Sequence, residues 1–172
     1  GGEVGEVITT RGTSRDCLRY AVGIGAVLFN VAATTENTNG VPQQVYPTFA
    51  VVAGSGNASR GQRAMGKIGS FNFAMLVHGS EAVTLHRPIP VEAEVQMQDK
   101  VVAMYDKGKA AVVVIENSVR TMAGEPLFDV RMSAFIRGEG GWGGERGPSG
   151  PQNEPPVDRA PDRAPDHETT FA

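Results

Sequence analysis

Two hydrophobic periods divide the chain. In its first third, Leu18, Val22 and Ala26 follow one another at four-residue spacing, with Cys17 and Ala21 alongside. That spacing predicts a helix with one apolar face. Ser14 or Thr13 is placed to cap it, so that the helix begins at Arg15. Gly23 and Gly25 weaken its last turn and permit close backbone contact. Residues 30–44, rich in Thr, Asn and Gly, read as a polar loop. Pro47 suits the first turn of a second helix, where its missing N–H costs nothing. Residues 49–53 are apolar all round, so this second helix is expected to be buried. Residues 54–66 are small and polar, a mobile connection.

From His78 onward the period is two. Residues 81–86, 91–104, 109–120 and 126–137 read as strands. Asp106-Lys-Gly-Lys109 and Met122-Ala-Gly-Glu125 are turn sequences, with Gly108 able to take positive φ. Strands in sequence joined by short turns predict an antiparallel sheet. Residues 112–115 are apolar without alternation, as expected of a central strand covered on both faces. A sheet that wraps one apolar helix hides the apolar surface of both. The expected fold class is therefore α+β: the hot-dog fold, an antiparallel sheet around a buried central helix, over residues 1–137. Near Gly138 the composition changes. A glycine run, Gly138-Glu-Gly-Gly-Trp-Gly-Gly144, leads into a tail rich in Pro, Asp and Arg in which Asp-Arg-Ala-Pro occurs twice. Residues 138–172 bury too little to offset the entropy of ordering and read as an exit and linker.

The length of 172 residues fits one domain with a tail, since one core serves roughly 100–200 residues. No run approaches the ~20 apolar residues of a membrane helix. A net charge of −3 with interspersed signs offers nucleic acid no basic face. One cysteine, Cys17, excludes an internal disulfide; its helical setting makes it a small packed thiol. Three scattered histidines have no metal-ligand spacing, and no metal is expected. The glycine loop 54–61 lacks the Lys-Ser/Thr ending of a phosphate-binding loop. There is no basic-then-apolar leader, and Gly1-Gly2 reads as a trimmed or engineered beginning. A cytoplasmic setting is the default expectation.

Several phrases fall in a specific order: Tyr20-Ala-Val-Gly-Ile-Gly-Ala26, Pro47-Thr48-Phe49, Leu76-Val-His78-Gly79-Ser-Glu81 running on to Pro88-Ile-Pro90, Tyr105-Asp-Lys-Gly108, and Gly140-Gly-Trp-Gly-Gly-Glu-Arg146. In that order they resemble the N-terminal half of the MaoC-like (3R)-specific enoyl-CoA hydratases, including the hydratase part of peroxisomal multifunctional enzymes. Such proteins carry two hot-dog repeats. The resemblance implies water addition to a trans-2-enoyl-CoA to give the (3R)-3-hydroxyacyl-CoA, with the CoA thioester as substrate and no further cofactor. It also implies that an Asp-x-Asn-Pro-x-His segment of the second repeat supplies the Asp and His that activate water. Positioned acid–base groups and an oxyanion donor are what such an addition needs. No catalytic residue is expected in this chain, which reaches Ala172 where that second repeat is expected to begin. A peroxisomal setting is implied if the source is eukaryotic.

Within that resemblance, Tyr20, Pro47, Thr48, Phe49, His78 and Gly79 are the candidate substrate-binding residues. Tyr20 either reaches the catalytic water or acyl group, or is a half-buried tyrosine bonded to backbone. His78 and Gly79 match the segment that shapes the oxyanion hole in the catalytic repeat; here they read as a relic that turns the chain into the sheet. Glu36 is the nearest counterpart of a family glutamate, two residues out of step, and reads as a solvated loop acid. His86 reads as a strand-face residue. The run at 140–144 could pack on the nucleotide end of CoA, or be a plain exit secured by Trp142. Asp162 and His167 have the spacing of the missing dyad, but Ala164 replaces its Asn, and repetition of the Asp-Arg-Ala-Pro unit explains them. The expected partners are an acyl-CoA and a second, catalytic repeat, in a homo- or hetero-oligomer, because open sheet edges associate. Two other readings remain: a noncatalytic acyl-CoA-binding or scaffolding domain, and a thioesterase. The thioesterase would need a carboxylate facing the buried helix, and residues 47–60 contain none.

Overall fold

The computed structural model describes residues 2–26, 30–53 and 62–148, together with 164 and 168. Alternation from residue 76 onward becomes four long strands, and a short fifth precedes them: β1 (Ile8–Gly12), β2 (Leu76–Leu85), β3 (Ala93–Asp106), β4 (Ala110–Thr121) and β5 (Pro126–Arg137). They form one antiparallel sheet in the order β1-β3-β4-β5-β2. The two expected hairpin turns are present, with Gly108 at φ +82 and Gly124 at φ +87. Only glycine adopts such angles without strain.

Strand β4 is central. Its inward residues Val113, Ile115 and Val119 are at most 2% exposed, and Val114, which points outward, is 4% exposed. Each buried aliphatic side chain contributes about 1.5–3 kcal/mol relative to an exposed one. The outer face continues apolar through Val112 and Phe135 and turns polar further along. Lys100, Glu116 and Arg131 lie side by side on three strands, and Arg131 donates to Glu116.

Inside the sheet the core is divided. One cluster joins Met65, Val101, Val113, Ile115 and Ile136; the other joins Ala50, Met97, Val119, Phe128 and Val130. Between them lies a polar row. Asp99 is fully buried and opposite Asn117 in register. Asn117 Nδ2 donates to Asp99 Oδ1, and Arg63 reaches Asp99 Oδ2 at 3.3 Å.

Helix α1 (Ser14–Gly23) starts one residue earlier than expected, with Thr13 as its cap. The Thr13 side chain accepts from the Asp16 N–H, and Asp16 accepts from the Thr13 N–H, a capping box. Its buried face is Cys17 and Ala21, whereas Val22 is half exposed. The expected stripe through Leu18 and Val22 is thus turned aside. Small residues let α1 pack closely on α2 (Val31–Thr34), in a cluster of Ala21, Ala26 and Ala33 with Tyr46. Helix α2 lies in the segment expected to be a polar loop.

The second expected helix is a 3-10 turn, Pro47–Val51, closed by i-to-i−3 bonds such as Phe49 N–H to Tyr46 O at 2.9 Å. It buries Phe49 and Ala50 against β2 and β5, in the place of the hot-dog's central helix. It is not apolar-buried all round, because Val52 opens onto a cavity. The glycine loop 54–61, Asp162 and His167 lie outside the described residues. Helix α3 (Gln62–Met65) places Ala64 and Met65 in the core, within a stretch expected to be a polar connection.

Candidate substrate-binding cavity

An apolar cavity of about 470 Å³ lies between α1, the 3-10 turn and the inner face of the sheet. Phe49, Val52, Met97, Val119, Leu127 and Phe128 furnish its apolar walls. The strand period puts Met97, Val119 and Phe128 on the same inward face. Ile89, Pro90 and Val91, in the loop between β2 and β3, close another side.

The polar groups at the cavity are few. Tyr20 sits edge-on to Phe49, ring centroids 5.6 Å apart at 67°. Among the described residues no hydrogen bond holds its hydroxyl, so the backbone-bonded alternative is not the one seen. Asp16 is committed to the capping box, where Oδ2 accepts from both the N–H and the hydroxyl of Thr13. Cys17 is buried, its Sγ 3.6 Å from the Val91 carbonyl oxygen. Burial, helped by the charge of Asp16, pushes its thiol up to about 11, so it is no thiolate nucleophile at neutral pH. Arg19 is exposed at the rim. The site can enclose an apolar chain. Among its described lining residues none is a free general base.

Of the six sequence candidates, the structure brings Tyr20 and Phe49 together here. Pro47 and Thr48 open the same turn but are exposed and lie outside the cavity lining. His78 and Gly79 are on edge strand β2, His78 across from Ala134 of β5 and Gly79 between that pair and Ser80–Ser133. His78 is exposed and 3.4 Å from Glu81. At Gly79 the register shifts, and a Cβ there would come within 2.6 Å of Ser133 Oγ. Gly79 is a β-bulge that brings β5 close. His86 lies just past β2 and meets Asp129 Oδ2 at 2.6 Å. Burial raises the Asp129 carboxyl, but hydrogen bonds from Ser118 and His86, with the charges of His86 and Arg120, hold it below its ordinary value. Glu36 accepts from Ser14 in a separate open groove and is exposed, as a loop acid. Among the described residues no group of three or more His, Cys, Asp or Glu is placed to hold a metal ion.

The glycine run has a different role from either one expected. Trp142 is half exposed, its indole lying against Gly144 of the same run. The run's N–H groups close on the carboxylate of Asp106, which accepts from Gly141 and Gly143, each at 2.8 Å. Donors occupied in this way leave no cradle for a phosphate.

The profile of the family described as "MFE-2 hydratase 2 N-terminal domain" matches residues 11–138. The chain belongs to that family. A curated relative, 3-hydroxyacyl-thioester dehydratase Y of Mycobacterium tuberculosis, is 37% identical over 168 residues, 96% of this chain and 54% of its own. Enoyl-CoA hydratase ChsH3 of the same organism is 34% identical over 156 residues, 90% of this chain and 52% of its own. Among solved structures, a MaoC-like dehydratase from Phytophthora capsici superposes with a TM-score of 0.72 at 25% identity, covering 97% of this chain and 56% of that one. The hydratase 2 domain described here therefore spans about half the length of the curated relatives it matches. Its fold is the MaoC-like hot dog. No helix among the described residues is long and apolar enough to cross a membrane.

Proposed function

We propose that this chain is the substrate-accommodating half of a (3R)-enoyl-CoA hydratase. The cavity takes the acyl chain of a trans-2-enoyl-CoA. A second repeat supplies the Asp/His pair that delivers water oxygen to C3 and a proton to C2. The observation that carries this reading is the cavity itself: an apolar enclosure of about 470 Å³ in which the one carboxylate among the described lining residues, Asp16, is tied into a helix cap. Among the described residues there, none is free to activate water. Tyr20, whose hydroxyl bonds to none of the described residues, would point a donor toward the ligand.

Partner binding follows from the open edge of the sheet. Strand β2 has no neighbour on its outer side among the described residues, and Phe73, Met75 and Val77 beside it are 40–52% exposed. Such an edge favours association, with a companion repeat or another copy. The setting would be cytoplasmic, or peroxisomal in a eukaryote.

The test is a hydration assay on purified 1–172 with crotonyl-CoA and a longer enoyl-CoA, alone and with a companion repeat bearing Asp-x-Asn-Pro-x-His. The expected result is acyl-CoA binding without turnover alone, and turnover when the companion is added. Turnover by 1–172 alone would overturn the division of labour. Binding with no activity in any combination would favour the scaffolding alternative.

A further inference from the structure

The segment after β5 is fastened to the turn between β3 and β4. Asp106, only 8% exposed, closes that turn through Gly108 N–H to Oδ1 at 2.7 Å. The same oxygen accepts from Gly141, and Oδ2 from Gly143. Asp106 N–H donates to the Glu145 carbonyl and Gly138 N–H to the Lys109 carbonyl, each at 2.8 Å. Lys107 Nζ donates to the Pro148 carbonyl at 2.9 Å.

At two of the glycines nothing larger fits. A Cβ on Gly140 would lie 2.5–2.7 Å from the Ala110 backbone and the Gly108 oxygen. A Cβ on Gly147 would enter the Tyr105 ring at 2.3 Å. Gly141 and Gly143 hold φ near +89 and +79, which aim successive N–H groups at one point, the arrangement that binds anions. The anion is supplied by the chain's own Asp106.

We infer that residues 138–148 form a preformed strap clasped by the Asp106 carboxylate, which positions the outgoing chain beside the β3–β4 turn rather than leaving it as a flexible hinge. Asp106 is a positioning residue. The sequence pair Tyr105-Asp-Lys-Gly108 and the later glycine run work as the two halves of one fastening.

Hydrogen exchange on the full chain tests this. In wild type, the Gly141 and Gly143 amides exchange far more slowly than that of exposed Gly40. In Asp106→Asn they accelerate by at least about tenfold, since an amide cannot replace a charge-assisted acceptor on both oxygens, while the Val113 and Ile115 amides keep their protection. Trypsin then cuts after Arg146 faster than in wild type. If Asp106→Asn does not fold, Gly140→Ala should produce the same release by displacing the strap sterically. Fast exchange at Gly141 and Gly143 in wild type would overturn the inference. So would unchanged protection in a folded Asp106→Asn or Gly140→Ala.

Discussion

Replacing Asp99 by Ala should be among the most damaging single changes in this domain. Asp99 is fully buried and holds Asn117 and Arg63. Without it, Arg63 loses the carboxylate 3.3 Å from Nη2. Asn117 loses its acceptor while its own Oδ1, like Arg63 Nε, already has no partner among the described residues. Breaking a buried pair by removing one partner costs about 3–5 kcal/mol. The Arg63 side chain is 20% exposed and can partly reach water, which places the loss near the lower end, about 3 kcal/mol. Against a typical total of about 5–15 kcal/mol, that is a large fraction. Asp99→Asn keeps the shape and an acceptor and should cost about 1–2 kcal/mol. Urea unfolding followed by circular dichroism gives both numbers. A loss below about 1 kcal/mol for Asp99→Ala, with the cooperativity of unfolding unchanged, would refute the claim that this buried charge is held by its neighbours.

Three other expectations follow. Tyr20→Phe keeps the edge-on contact with Phe49 and removes a hydroxyl that bonds to nothing described; stability should change by less than about 0.5 kcal/mol, while turnover of the assembled two-repeat enzyme falls about tenfold or more. Cys17, with its thiol raised to about 11, should react with iodoacetamide at pH 8 about a hundredfold more slowly than a free thiol; because the folded value is the higher one, its contribution to stability is complete below the unfolded value and fades as pH climbs toward about 11. Asp106 lies below its ordinary value through the N–H groups of Gly141 and Gly108, against burial, with Gly143 and Gly144 adding to the effect. Its stabilisation is present above the ordinary carboxyl range and is lost as pH falls through the depressed value, so acid titration of unfolding should be shallower in Asp106→Asn than in wild type.

Much of the sheet was legible from residue types alone. Strand β5 matches its expected bounds, and both hairpin glycines take the angles their turns require. What failed did so for specific reasons. Strand β1 contains one strongly apolar residue, Ile8, and exists because it pairs along β3; no local pattern announces it. Strand β2 begins at Leu76, five residues before its expected start, because the bulge at Gly79 moves its inward positions from Leu76 and His78 to Glu81 and Val83. Alternation read across a bulge cancels. The polar row did leave a signal: Asp99 falls in phase with Val95, Met97 and Val101, and Asn117 with Val113, Ile115 and Val119. A polar residue on the apolar phase of two neighbouring strands asks for a partner, and those two proved to be each other's. The clasp at Asp106 was out of reach, since its donors lie 35 and 37 residues further on. The cavity was legible only in part. Phe49 and Tyr20 came from family phrases, whereas Val91, Leu127 and Phe128 enter through the packing of a loop and two strands.

The strap releases the polypeptide beside Lys107, at the β3 terminus remote from the cavity floor at Val95 and Met97. Ten residues of strand separate Val95 from Tyr105, about 33 Å at the usual rise. On the proposed reading, a companion repeat joined downstream would reach that cavity only by doubling back over the length of the sheet. A tether of about 24 residues can reach about 80 Å when stretched, more than that path requires. Shortening this tether below roughly ten residues, which reach only about 35 Å, should disable a covalently joined second repeat and leave one supplied as a separate chain unaffected.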